Sequence, residues 1–388
     1  MIKEIKKDIY YVGAIDWHRR LFDELIPLPD GTTYNSYLIK DEKIVLIDSV
    51  DPTKEKELVE NLEELGINKI DYIVANHAEQ DHSGSIPAIL YKYKEAKVLT
   101  NEKCKEFLKD LLLIPDEKFF TIKDKQEISI GKRKLKFFLT PWVHWPETML
   151  TYAIEDKILF TCDLFGSHLA TSDIFSKDEK LYSAAKRYYA EIMMPFRNKI
   201  RDYISLIEKM DIKIIAPSHG PIYREKDFIL NAYKDWISDN VKNEVVIAYV
   251  SMHGSIEKAV SYLINELIKR GVEVKPFNLS KTDIGEFAIS LVDCSTLIVA
   301  SPTVLGGIHP LALYALQLTS LLRPKIRFFT FIGSYGWGSN AIMQINEIIG
   351  KMKVEMIQPL MIKGYPKDKD FEAIEKIAEE IEKKHAEL

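Results

Sequence analysis

Four residues able to hold a metal, His77, Glu79, Asp81 and His82, fall within six positions, directly after the apolar run Tyr72 to Ala75. In extended backbone alternate side chains point the same way and adjacent ones diverge. Positions 77 and 79 can therefore serve one metal while 81 and 82 serve a second. Three later residues repeat the arrangement of a ligand type after an apolar run: His144 in Pro-Trp-Val-His-Trp-Pro, Asp163 after Ile158 to Thr161, and His219 in Ala-Pro-Ser-His-Gly after Ile212 to Ile215. Taken singly, the two histidines read as packed loop residues and Asp163 as a turn or cap. After the first cluster they read as the remainder of a two-metal ligand set.

The elements that must position these groups are short. Ile44 to Ile47 is an apolar strand, and Asp51-Pro52 opens a helix with Leu58, Leu62 and Leu65 on one face, stopped by Gly66. Tyr72 to Ala75 is the next strand, so the first cluster sits on the loop at its exit. Thr151 to Ile154 and Ile158 to Thr161 read as a hairpin closed over Glu155 and Asp156.

After Asn243 the texture becomes a regular alternation: strand Val245 to Val250, helix Ile256 to Arg270, strand Thr296 to Ala300, helix Leu311 to Leu322, strand Ile326 to Ile332, helix Ala341 to Lys351, a strand near Val354 to Ile362 and a charged helix from Asp370. That pattern means parallel strands joined by crossover helices. Ser251-Met252-His253-Gly254-Ser255 lies between the first of these strands and its helix, where backbone N–H groups and the helix dipole favour a phosphate. Ser301-Pro302-Thr303 and Gly333-Ser334-Tyr335-Gly336-Trp337-Gly338 follow two later strands, so three strand exits converge on one crevice.

The series His77-x-Glu79-x-Asp81-His82, His144, Asp163 and His219 resembles the metal motif of the metallo-β-lactamase fold in its flavodiiron-protein version, and the second half is similar to flavodoxin. The resemblance covers essentially the whole chain, including Gly31 to Tyr37 and Tyr188 to Met193. It implies an α/β protein: an N-terminal metallo-β-lactamase-like αββα sandwich over 1–243 and a C-terminal flavodoxin-like doubly wound parallel sheet over 244–388. His77, Glu79 and His144 would bind the iron nearer the flavin, Asp81, His82 and His219 the other iron, and Asp163 would bridge them. Hydrolases of this fold commonly carry His where this chain has Glu79, and a carboxylate there suits iron cycling between two oxidation states better than redox-silent zinc.

The flavodoxin likeness implies FMN rather than a dinucleotide, held by Ser251 to Ser255, Ser301 to Thr303 and Gly333 to Gly338. Ile256 stands where a hydroxyl residue is common and His253 where Tyr or Thr is usual. Trp337 either covers the isoalloxazine ring or fills core under a Gly-rich turn. His168, close after Asp163, is either near the irons or structural, and His18, His309 and His385 support no site.

The activity implied is reduction of dioxygen to water, with electrons passing from FMN to two irons per chain. Nitric oxide reduction is the sister activity. No C-x-x-C rubredoxin module is present, so electrons are expected from a separate partner; the pattern looks most like the methanogen-type enzymes that oxidise the reduced deazaflavin coenzyme, F-420, and external rubredoxin is the alternative donor. The family also implies a head-to-tail homodimer, or a tetramer built from it. Two rival readings are a zinc hydrolase with a regulatory flavodoxin half, and a flavodoxin carrier with a metal-free partner domain.

Composition agrees with these expectations. At 388 residues the chain is long enough for two cores, and a net charge of −5 argues against a dedicated nucleic-acid binder. Cys104, Cys162 and Cys294 lie far apart, and Met1 to Asp8 lacks a signal peptide's apolar core, which points to a reducing, cytoplasmic setting. Cys294 to Leu322 carries no Asp, Glu, Lys or Arg, but Pro302, Gly306, Gly307 and Pro310 break it, so it reads as a buried strand, loop and helix rather than a membrane span.

Overall fold

A computed structural model describes residues 1–175 and 178–388. The chain divides into two compact units, one of residues 1–189 with 196–234, the other of 235–388 with 190–195. The divide thus lies ahead of the composition change at 243/244. It falls within the helix Lys226–Ile237, and Asp235 belongs with the second unit, where its carbonyl accepts from Lys325 Nζ at 3.3 Å.

The first unit is built on two sheets. One runs Lys3–Lys6, Ile9–Tyr11, Tyr37–Ile39, Val45–Ile47, Tyr72–Val74, Lys97–Thr100 and Phe119–Thr121, parallel from Val45–Ile47 onward. The other places Glu127–Ser129, Lys134–Leu139, Met149–Ala153 and Ile158–Cys162 in antiparallel order and adds Ile214–Pro217 parallel at its edge. Alternation along the strands sorts their side chains. Val45, Ile47, Val74 and Leu99 enter a core shared with Phe137, Met149, Ile158 and Phe160 of the second sheet. The intervening Leu46, Ile73 and Val98 pack instead with Leu58 and Leu62 of the helix Glu55–Glu64, Ile86 and Ile89 of Ile86–Lys92, and Leu108 of Glu102–Leu112. Each such buried aliphatic side chain is worth about 1.5–3 kcal/mol. A one-residue slip of any of these strands would exchange the two cores' side chains.

In the second unit the strands lie side by side as Glu273–Asn278, Lys242–Tyr249, Cys294–Val304, Phe328–Tyr335 and then Glu355–Met356 with Leu360–Lys363, parallel along this order, and Gly307–Ile308 pairs antiparallel with the end of Cys294–Val304. This is the flavodoxin-like strand order, whose reversal beside the first strand makes a crevice at the strands' carboxyl ends. Ile256, Val260, Leu263 and Leu267 of the helix Ser255–Lys269 share a core with Ile374, Ile377 and Ile381 of Asp368–His385. The strand Glu273–Asn278 and the helix Ile284–Leu291 were not among the elements read from the sequence. Among the described residues no helix is long and apolar enough to cross a membrane.

Candidate metal centre

All seven expected ligands meet at one end of the first unit's sheets. His77 follows the strand Tyr72–Val74, Asp163 follows Ile158–Cys162 and His219 follows Ile214–Pro217. His144 sits in the loop after Lys134–Leu139, which is closed at its base where Thr148 Oγ1 donates to Thr140 O at 2.6 Å. One local detail differs from the extended loop expected: Gln80–Ser83 is a helical turn that begins after Glu79. The switch from extended to helical backbone, rather than simple alternation, turns Asp81 and His82 away from His77 and Glu79.

Two groups of donors result: His77, Glu79 and His144 with Asp163, and Asp81, His82 and His219 beside it. In the first, Glu79 Oε2 is 3.1 Å from His77 Nε2 and 3.2 Å from His144 Nε2, and Asp163 Oδ2 is 3.5 and 3.4 Å from the same two nitrogens. In the second, Asp81 Oδ1 is 3.3 Å from His82 Nε2 and Asp81 Oδ2 is 3.0 Å from His219 Nε2. Asp163 Oδ1 is 2.9 and 3.5 Å from those two rings. Asp163 therefore gives one oxygen to each group.

The donors fit a pair of metals. Ligand atoms about 2.1 Å from a common centre stand roughly 3.0–3.4 Å from one another, the spacing seen here. Both Asp81 oxygens, Asp163 Oδ2 and His82 Nε2 are buried without a hydrogen bond. Such orphaned groups cost about 1–3 kcal/mol each unless something coordinates them. A shared carboxylate holds two cations close while offsetting their repulsion.

Electrostatics point the same way. Burial disfavours charge on His77, His82 and His144, yet the surrounding carboxylates more than reverse it. Hydrogen bonds to Glu147 and Glu79 lift His77 to about 10, the charges of Asp163 and Asp81 lift His82 to about 9, and Asp163 and Glu79 lift His144 to about 10. Burial likewise opposes ionisation of Glu79 and Asp163, but the imidazoles hold both below the ordinary carboxylate range. These are protons that a metal must displace.

The roles of several supporting residues escaped the sequence reading. Glu147 Oε1 accepts from His77 Nδ1 at 2.7 Å, which leaves Nε2 for the centre. His219 Nδ1 donates to Thr33 O at 2.6 Å with the same effect. Buried Asp48 accepts from the backbone and side-chain nitrogens of Asn76, each at 2.8 Å, and Asn76 Oδ1 accepts from Thr151 Oγ1 at 2.7 Å. That network pins the residue just before His77. Tyr188 OH donates to Asp163 Oδ1 at 2.8 Å. His168 is buried, its Nδ1 2.9 Å from Thr32 Oγ1 and its ring 5.0 Å from that of His219, and burial pushes its pKa well down. It packs against the centre but is in neither donor group.

In the second unit the expected loops leave adjacent strands, since Tyr249 pairs with Ala300 and Ser301 with Gly333. Gly254, with φ +84°, makes the tight turn into the helix Ser255–Lys269, a conformation that penalises any side chain. The hydroxyls are more committed than expected. Ser251 Oγ accepts from Glu257 N at 3.2 Å, and Ser301 Oγ accepts from His309 N and donates to Pro302 O. Thr303 Oγ1 donates to Ser339 Oγ, and Ser255 Oγ to Ser334 Oγ. An anion here would rely on the unpaired N–H groups of a helix start. Ile256 is fully buried in the core and leaves the loop altogether. Trp337 is 91% exposed, which removes its reading as a core aromatic.

Residues 32–220 match the model of the ODP family beta lactamases. The chain is 38% identical to the nitric oxide reductase of Moorella thermoacetica over 361 residues, covering 91% of this chain and 90% of that protein. Among solved structures, rubredoxin oxygen:oxidoreductase from Desulfovibrio gigas superposes with a TM-score of 0.95 at 30% identity, covering 100% of this chain and 99% of that one. The flavodiiron protein of Giardia intestinalis gives 0.94 at 28%, covering 100% and 97%.

Proposed function

The chain belongs to the flavodiiron proteins, and from that membership we propose that it is an FMN and di-iron oxidoreductase that reduces dioxygen to water. The observation that carries the reading is Asp163, one carboxylate shared between two donor groups, each with a further carboxylate and two imidazoles. The iron pair supplies two neighbouring redox centres to which a diatomic gas can bind. His77, Glu79 and His144 would hold one iron, Asp81, His82 and His219 the other, and Asp163 both. FMN would sit against Ser251 to Ser255, Ser301 to Thr303 and Gly333 to Gly338.

The protein's own groups have definite tasks. Glu147 and the Thr33 carbonyl orient the rings of His77 and His219. Tyr188 and Phe22 are buried beside the centre and help to keep bulk water from it. Phe22 lies with its ring 5.1 Å from His168 and 6.4 Å from His219.

Nitric oxide is the alternative acceptor, favoured by the name of the Moorella relative. For the donor we propose the reduced deazaflavin coenzyme, with rubredoxin as the alternative favoured by the name of the Desulfovibrio structure. We also propose a head-to-tail homodimer and a cytoplasmic location, the latter in keeping with three buried free cysteines. The test is anaerobic: flavin bleaching by the deazaflavin coenzyme and by rubredoxin is followed in the purified protein, which is then mixed with dioxygen or nitric oxide. Reoxidation by dioxygen at one gas molecule per four electrons is expected. Two zinc ions per chain and no gas turnover would reject the reading.

A further inference from the structure

The donors on the two sides of the metal centre are alike, but the groups behind them are not. On the side of His77, Glu79 and His144, the ring of His77 donates from Nδ1 to Glu147 Oε1 across 2.7 Å, both side chains being fully buried. Glu147 Oε1 also accepts from Ala78 N at 3.1 Å, which holds that oxygen in place, and Asn101 Nδ2 donates to the Glu147 backbone carbonyl at 2.6 Å. On the other side His219 Nδ1 donates to a neutral acceptor, Thr33 O, at 2.6 Å. A carboxylate behind an imidazole raises its basicity toward a metal, and more negative charge nearby favours the higher oxidation state.

The bridging carboxylate is uneven in the same sense. Tyr188 OH donates at 2.8 Å to Asp163 Oδ1, the oxygen that faces His82 and His219. Asp163 Oδ2, which faces His77 and His144, receives no hydrogen bond among the described residues. A donated hydrogen bond draws electron density from an oxygen and weakens it as a ligand. Both asymmetries enrich the Glu79 side and impoverish the Asp81 side.

Resting on the di-iron reading above, we propose that Glu147 and Tyr188 are positioning residues that make the two irons unequal. The iron held by His77, Glu79 and His144 is the harder to reduce, and the first electron entering the oxidised pair goes to the iron held by Asp81, His82 and His219. In that step reduced FMN, or the mediator in a titration, gives up one electron, one ferric ion becomes ferrous, and no protein bond is made or broken. The second electron then reduces the iron on the Glu79 side at a lower potential.

The experiment is stepwise anaerobic reduction of the iron-loaded full-length protein against redox mediators, with the half-reduced state followed by electron paramagnetic resonance. Glu147→Gln keeps the shape and removes the charge, so the second step should move to higher potential while the first stays, and the half-reduced signal should shrink. Affinity for one of the two irons should also fall by about 10- to 100-fold, the usual effect of losing a ligand's outer partner. Tyr188→Phe should move the first step to lower potential and leave the second. Narrowing from opposite sides is the signature. A shift of the first step in Glu147→Gln, no shift in either variant, or a raised first step in Tyr188→Phe overturns the proposal. If Glu147→Gln loses iron, Tyr188→Phe decides alone. A wild-type chain that takes up fewer than two irons overturns the di-iron reading and this one with it, whereas two irons with unresponsive potentials overturn only the inequality.

Discussion

Asp163 Oδ1 stands 2.9 Å from His82 Nε2, and this contact ties the exit of the strand Ile158–Cys162 to the helical turn Gln80–Ser83 on the other sheet's side. Asp163→Ala removes the carboxylate common to both donor groups while leaving the second unit untouched. Gas reduction should fall by more than about 100-fold, since losing even an outer partner of a ligand costs roughly 10- to 100-fold. Without metal the variant should also be less stable by about 3–5 kcal/mol, because buried imidazoles lose their partner. Iron content, flavin absorbance and urea unfolding check these together; FMN at wild-type occupancy with iron lost is the expected outcome.

Metal uptake should depend on pH. His77, His82 and His144 hold protons up to about 10, 9 and 10, above the ~6.5 of a free imidazole. Their pairing stabilises the metal-free fold fully below about pH 6.5, and that contribution is lost as pH rises through roughly 9 to 10. Glu79 and Asp163 are shifted downward, so their share is present above about pH 4 and is lost in acid. Because metal has to displace the imidazole protons, affinity should rise between about pH 6 and pH 8 with net proton release. Calorimetric titration with ferrous iron in buffers of different ionisation enthalpy measures both, and a pH-independent affinity would contradict the assignment.

Glu79→His converts the donor set toward that of the hydrolases of this fold. The site loses a hard anionic donor from one side only, so zinc should be retained in preference to iron. Iron per chain and oxygen consumption should both drop, with secondary structure unchanged by circular dichroism. Full oxygen turnover in this variant would show that the carboxylate is not what selects iron.

The gathering of the seven candidate donors was legible in the sequence because they lie on loops that follow apolar strands, and strand exits at one end of a sheet come together by topology alone. Glu147 was not legible. It stands three residues after His144 but serves His77, 70 residues away, and a lone Glu after Pro146 looks like any loop acid. The usable signal is its place two residues before Met149–Ala153, a strand buried along most of its length, where a charge has little access to water. The strand Glu273–Asn278 escaped because it lies at the sheet edge with no fully buried side chain and carries Pro276. The helix Ile284–Leu291, apolar almost throughout, has too little polar face for a 3.6-residue period to show. In the second unit the fold was legible through alternation, but the hydroxyl roles were not. Ser251 and Ser301 are used by the backbone beside them, which no spacing rule reveals.

Trp337 provides the sharpest test of the flavin loops. Its ring is 91% exposed, and neighbouring Gly336 and Gly338 have nothing within 4 Å of where a side chain would begin, so the ring is not supporting the core. Trp337→Ala should therefore change stability by no more than about 0.5 kcal/mol. If the indole lies against a flavin ring, it contributes an aromatic contact of about 0.5–1.5 kcal/mol, and its loss should weaken FMN binding roughly 2- to 12-fold. Trp337→Phe should recover most of the affinity. Thermal unfolding of the flavin-free protein and fluorescence titration with FMN separate the two effects, and an unchanged FMN affinity in the alanine variant would take Trp337 out of the site.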